Sequence, residues 1–303
     1  MKSSHIVACA AGLALAVAST GTAIAPAQAQ SADSLELRPA GGWTADFADE
    51  SCALRRNFSD GTTSVVFEMS QVAPGNAVEV AVASATLAAR HRAPRTQFLP
   101  GDSPSEALFY RPFSTDDGLQ GFAVDDTMVP PEERPRPPKA DGDFIWPQAA
   151  RDQRERTITG YSVTRVFDKD LILQTGPLHE PMKVMRACLD DLIQQWGLDP
   201  VAHHTLSRPA TVNFDAGWVG GIIRQQARLV NDRGPISARA RLLVDESGKV
   251  TGCRLLNMPS DTGAARDFCD MMQKRARLIP AMDAGGQPIK SFYIWQVVIN
   301  RRS

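Results

Sequence analysis

Apolar and polar side chains alternate along two parts of the chain, and each alternation predicts a strand with one face on a core. The clearer case is Ile236 to Asp245, where Ala238, Ala240, Leu242 and Val244 point one way and Arg239 and Arg241 the other. The polar turn Asp245-Glu246-Ser247-Gly248 follows, with Gly where a positive φ is commonly needed. Lys249 to Asn257 then returns with Cys253 and Leu255 on its inner face. The period changes next. Ala265, Phe268, Cys269, Met272 and Ala276 form one stripe of a helix that Ser260, Asp261 or Thr262 can cap. A last strand, Ser291 to Asn300, follows the loop Asp283 to Pro288.

The N-terminal part is also strand-rich. Thr63 to Met69 and Ala77 to Val82 flank the turn Pro74-Gly75-Asn76 and predict a hairpin. Leu119 to Val124 and Val163 to Leu173 are two further strands. One amphipathic helix closes this part: Pro181 fits its first turn, Met182, Met185, Cys188, Leu189, Leu192, Ile193 and Trp196 share a face, and Gly197 stops it. The expected class is α+β, with a β-rich N-terminal domain ending in a helix and a small ββαβ domain after it.

Residues 1–29 read as a secretory leader. Lys2 precedes an uncharged apolar run from Ile6 to Ala18, and Ala27-Gln28-Ala29 is a small-x-small cleavage pattern, so the mature chain is expected to begin at Gln30. The competing reading is a retained anchor, because Ser3 to Ser31 carries no charge. Cleavage fits better, since the stretch is poor in Leu and interrupted by Gly21 and Pro26. No later segment has the composition of a span. The expected location is the periplasm of a Gram-negative bacterium, or outside the cell. In that compartment an even set of cysteines favours disulfides, and four remain after Cys9 leaves with the leader. Of three possible pairings, Cys253 with Cys269 and Cys52 with Cys188 keeps each bridge inside one domain.

The expected domains are 30–199, with a proline-rich exposed loop over 129–147, and 218–303, joined by a linker over 200–217. Charge divides the same way. Gln30 to Gly217 holds 18 Lys and Arg against 27 Asp and Glu, whereas Trp218 to Ser303 holds 14 against 7. The halves could dock on each other, the basic one could face an anionic surface, or both charges could simply be solvated.

Motifs for chemistry are few. Neither GxSxG, HExxH nor CxxC occurs, and Ser247-Gly248-Lys249 lacks the upstream glycine of a phosphate loop. His203-His204 has no further His or Cys at ligand spacing and is read as a solvated linker pair. Asp116-Asp117, Asp125-Asp126 and Asp190-Asp191 are read as solvent-facing. No catalytic residue, metal site or cofactor is expected, and Lys274-Arg275 with Arg277 is too small a basic patch for nucleic acid.

The order strand, Val244-Asp245 and Gly248-x-Val250 turn, strand, helix, Pro280-Ala281, Gly286-x-Pro288, strand resembles the C-terminal domain of the TonB family, over residues 218–302. The entry Arg224 to Pro235 departs from it by lacking a Tyr-Pro pair, and Pro259-Ser260-Asp261 stands where Ser-Ser-Gly is frequent. The resemblance implies a non-enzymatic interaction module that presents a sheet edge to an extended segment of an envelope protein, an outer-membrane receptor among the candidates. The implied binding strand is Phe292, Tyr293, Ile294, Trp295, Gln296, Val297 and Val298. A retained leader would make the chain a membrane-anchored energy transducer for outer-membrane transport instead. A third alternative is an enzyme with its site in the N-terminal domain, to be marked by carboxylates converging in a cleft. Oligomeric state and the partner's identity are not readable.

Overall fold

The computed structural model describes residues 34–90, 92–101, 104–107, 110–135, 144, 146–213, 217–221, 236–256 and 263–299. The leader, residues 136–143 and 145 of the proline-rich loop and the helix-capping residues 260–262 therefore lie outside the described residues. Among the described residues no helix is long and apolar enough to cross a membrane.

The N-terminal half is one large curled mixed sheet. Its strands are β1 (Ser34–Pro39), β2 (Thr44–Phe47), β3 (Cys52–Ser59), β4 (Ser64–Gln71), β5 (Ala77–Ser84), β6 (Arg95–Leu99), β7 (Ser105–Glu106), β8 (Tyr110–Ser114), β9 (Gln120–Thr127), β10 (Gly160–Thr164) and β11 (Asp170–Leu173). They run β7-β6-β10-β11-β1-β3-β4-β5-β9-β8, with β2 added on β3. Only β1 with β11 is parallel among these pairs. Alternation decides which face is inside: Leu54 and Phe58, Val65, Phe67 and Met69, and Val78, Val80 and Val82 are all buried. The expected hairpin over 63–82 is β4 and β5.

The curl brings distant strands together. Thr96 on β6 and Tyr161 on β10 both donate hydrogen bonds to the carboxylate of Asp126 on β9, at 2.8 and 2.7 Å. Burial, and then the charge of Asp126, hold the Tyr161 phenol well above its usual pKa, so it remains a donor. Asp126 is thus a structural acceptor, contrary to its expected place facing solvent.

The stretch Val163 to Leu173, expected as one strand, is two. β10 and β11 pair antiparallel with Tyr161 opposite Leu173. The chain reverses at Arg165, whose φ is 77° and whose N–H donates to Asp170. Asp168-Lys169-Asp170 supplies turn chemistry that interrupts the apolar run.

Helix α1 (Gln148–Thr157) precedes β10, and α2 (His179–Gln195) follows β11. The apolar face expected of α2 is the one that packs: Met182, Met185, Cys188, Leu189, Leu192 and Ile193 are buried, and Gly197 ends the helix at φ 76°. A disulfide joins Cys188 to Cys52 of β3 across 136 positions. By the chain-entropy argument such a bridge contributes about 4–5 kcal/mol.

The C-terminal half has the ββαβ order. β12 (Ile236–Val244), β13 (Val250–Leu255) and β16 (Ser291–Ile299) form a sheet in the order β13-β12-β16, and α4 (Gly263–Arg275) covers it. Two short strands, β14 (Ala281–Met282) and β15 (Pro288–Ile289), pair beside it. Ala240, Leu242 and Val244 meet Phe268, Met272, Tyr293 and Trp295 in a second core. Gly248 is required twice over in the β12–β13 turn: its φ is 83°, and a Cβ there would stand 1.9 Å from the carbonyl oxygen of Leu278.

The segment expected as a linker starts with α3 (Pro200–His204). Beyond it, Ser207 and Arg208 donate main-chain bonds to Met282, Thr211 exchanges bonds with Ile279, and Ala210 and Val212 enter the second core.

Cys253 and Cys269 form the second disulfide, between β13 and α4. Both bridges are signatures of a chain that folds outside the reducing cytoplasm. Closing a loop of 16 positions contributes about 3 kcal/mol on the same entropic argument. Replacing both residues, Cys253→Ser with Cys269→Ser, is therefore expected to lower the thermal midpoint by about 6–12 °C in calorimetry without reductant. A midpoint equal to that of the parent would show that the bridge contributes nothing.

Candidate functional site: the cleft between the two sheets

Strand alternation aims Arg239 and Arg241 away from the second core, and the N-terminal half supplies their partners. Arg241 pairs with Glu50, which also receives Arg254. The Arg241 guanidinium lies over the Trp196 ring at 4.3 Å from its centroid, and the residue is only 9% exposed. Burial lowers its pKa and Glu50 opposes that shift, so Glu50 offsets the cost of burying a guanidinium that stays charged. Arg239 pairs with Asp125 at 2.6 Å and lies 3.5 Å from Glu79. Gln296 of β16 donates to the other oxygen of Asp125 at 2.7 Å. The acidic half and the basic half thus dock on each other, the first of the three readings the charge division allowed.

Aromatic contacts continue the junction. Trp196 meets Phe292 edge-on at 5.4 Å, and the His203 ring stacks on Phe292 at 5.8 Å. His203 Nδ1 is 2.7 Å from the carbonyl oxygen of Asp199, which can only accept. The proton is therefore on Nδ1, and Nε2, at 3.1 Å, accepts from the Ser291 hydroxyl. His204 pairs with Asp190 at 2.7 Å. The two histidines therefore divide: α3 carries His203 into the junction, while His204, exposed as expected, reaches Asp190 of α2. Asp125 and Asp191 are exposed as expected, although Asp125 also bridges Arg239 and Gln296, whereas Asp190 is half-buried beside His204. Asp116 and Asp117 are exposed as expected.

Between these contacts lies a cleft of about 570 Å³. β16 lines it with Phe292, Ile294 and Gln296, while α1 and α2 contribute Arg151, Lys183 and Arg186. Asn76, Asp125 and Trp146 also line it. An apolar strip beside separated charges of both signs suits an amphipathic ligand. Of the strand expected to bind a partner, Phe292, Tyr293, Ile294 and Gln296 border this space. Trp295 is instead 2% exposed in the second core, and the side chains of Val297 and Val298 lie outside the described ones.

A buried polar group on the cleft's N-terminal side has no counterpart among the sequence expectations. Glu155 of α1 is 0% exposed and His179 at the start of α2 is 4% exposed. Glu155 Oε1 accepts from Arg186 at 2.6 Å, and Arg156 Nη2 stands 2.6 Å from His179 Nε2. Glu155 Oε2 and His179 Nδ1 face each other at 3.4 Å, and neither makes a hydrogen bond. Asp152 Oδ1 is 3.8 Å from the same nitrogen. These three residues are the ones with donor atoms placed to hold a metal ion among the described residues. Asp152 and Glu155 are three apart, the spacing that puts two helix residues on one face, but that signal means little until the helix itself is recognised.

Searches against protein-family models, curated proteins and solved structures returned no match to this chain.

Burial, the largest influence on His203, lowers its pKa below the ordinary 6.5. The folded protein then binds fewer protons than the unfolded chain between the lowered value and 6.5, so this residue makes stability fall as pH drops through that window. His203→Gln is expected to flatten the difference in urea midpoint between about pH 7 and pH 5. An unchanged slope would remove His203 as its source.

Proposed function

We propose that this is a non-enzymatic periplasmic binding protein whose C-terminal ββαβ module receives an extended polypeptide segment of an envelope protein along β16. The observation that carries the reading is the cleft, because it runs beside the strand that the TonB-like order of elements designates. β16, like β13, is an outer strand of its three-stranded sheet among the described strands. Its cleft-facing side chains, Phe292 and Ile294, are only partly buried by the N-terminal half. A peptide laid there would gain main-chain bonds from the sheet and side-chain contacts from the cleft, the division of labour in strand addition. Lys183, Arg186 and Arg151 on one side, with Asp125 and Glu79 nearby, would select a peptide of mixed charge. An outer-membrane receptor is one partner of this kind. Force transduction needs an anchor and a long spacer, and the docked halves leave little spacer between them.

The enzyme reading draws on one observation, the convergence of Asp152 and Glu155 on His179 beside the cleft. Glu155 already shares its charge with Arg186, which suits a structural role better than that of a general base.

Peptides selected from a random library on the disulfide-intact protein test the proposal. A selected peptide is expected to slow amide exchange along β16, and Ile294→Glu to weaken its binding at least tenfold with little change in thermal midpoint. Failure of every peptide to bind, or unchanged binding to the variant, would refute the assignment.

A further inference from the structure

We propose that Asp152, Glu155 and His179 form a binding site for one divalent transition-metal ion, with zinc the best fit. The inference is independent of the peptide-binding reading. Two of the three donor atoms, Glu155 Oε2 and His179 Nδ1, belong to side chains at least nine-tenths buried and make no hydrogen bond. Their separation of 3.4 Å is longer than the roughly 2.7–3.2 Å of a formed N–H···O bond. It matches the edge of a tetrahedron instead: ligands about 2.1 Å from a zinc ion stand about 3.4 Å apart. The distance of 3.8 Å from Nδ1 to Asp152 Oδ1 needs a small adjustment by the partly exposed Asp152, whose Oδ1 accepts from Gln148 Nε2 at 2.6 Å and stands 3.7 Å from Arg186. All three donor atoms lie within 4.8 Å of one another.

The donor set decides the class of metal. One imidazole nitrogen with two carboxylate oxygens suits a borderline ion such as zinc, whereas calcium and magnesium prefer oxygen alone. Placement supports a shared site: Asp152 and Glu155 come from one face of α1, and His179 comes from the first residue of α2. The ion would tie the two helices together where they meet. Arg186 holds the other oxygen of Glu155 and orients it, as outer partners of metal-binding carboxylates do.

Arg156 is the competitor. A metal on Nδ1 leaves the proton on Nε2, which then faces a guanidinium that can also only donate, at 2.6 Å. Arg156 is exposed and must turn away when the ion enters. Without metal Nε2 accepts from Arg156, which leaves the proton on Nδ1, 3.4 Å from Glu155 Oε2 with no hydrogen bond formed. The two arrangements predict opposite effects of removing that arginine.

The test is titration of the full disulfide-intact chain, freed of metal with a chelator, with zinc chloride in a calorimeter. Cobalt(II) absorption serves as a second readout. One zinc per chain is expected, with affinity at least tenfold weaker in Asp152→Asn and in His179→Ala. Arg156→Gln is expected to bind several-fold more tightly. Thermal midpoints in chelator separate loss of ligand from loss of fold, and the partly exposed Asp152 is the variant least open to that confusion. Absence of saturable zinc binding, or equal binding in both ligand variants, would overturn the site and leave a metal-free ionic network.

Discussion

The shape of the cleft depends on how the arginines of β12 are neutralised. Arg239 and Arg241 project from a strand whose other face is core, so they cannot retreat without unmaking the sheet. Once the halves meet, Arg241 is nearly buried, and an unpaired cation there would cost several kcal/mol. Glu50 and the Trp196 face remove that penalty, and Asp125 does the same for Arg239. Such pairs add little net stability compared with apolar contacts, but they penalise every other register of the two sheets. Because β16 is bonded to β12 along its length, fixing β12 also fixes Phe292 and Ile294 at the cleft.

Helix α2 joins all the parts that matter. Its inner face fills the first core, and Cys188 ties it to β3. Beyond its last turn, Trp196 touches both Arg241 and Phe292. Its first residue, His179, belongs to the polar group with Glu155. A shift of α2 would therefore alter the docking contacts and the polar group together, and the long disulfide loop resists such a shift. The bridge constrains the site without touching it.

Periodicity makes the strongest elements legible in the amino-acid sequence. The β4–β5 and β12–β13 hairpins, α2 and α4 all follow from where apolar residues recur, and the Cys253–Cys269 bridge joins faces that β13 and α4 turn inward. Helix α1 is invisible to such a reading for a definite reason: Gln148–Thr157 contains no Leu, Ile, Val, Met or Phe, and its buried residue is Glu155. A pattern read from apolar residues cannot find a helix that buries a charge. The polar group at Glu155 is lost with it. Strand β3 escapes because Arg55, Arg56 and Asn57 interrupt its apolar run, although Cys52, Leu54 and Phe58 are buried. The charge division hints at docking, but which carboxylate meets which arginine depends on two folded surfaces. The same limit hides the cleft, whose lining comes from segments more than 200 positions apart, as with Asn76 and Phe292.

Covalent and ionic links are divided unequally in this protein, and that division sets how the junction responds to salt. Each disulfide lies within one half, so neither holds the halves together across the cleft. The junction relies on ion pairs, two aromatic contacts and the packed segment 205–213. Partly exposed ion pairs weaken with salt, whereas the cores and bridges do not. Salt therefore acts on the junction before it acts on either core. Asp125 belongs to the junction and to the cleft wall at once, since it accepts from Arg239 and from Gln296 of β16 while lining the cleft.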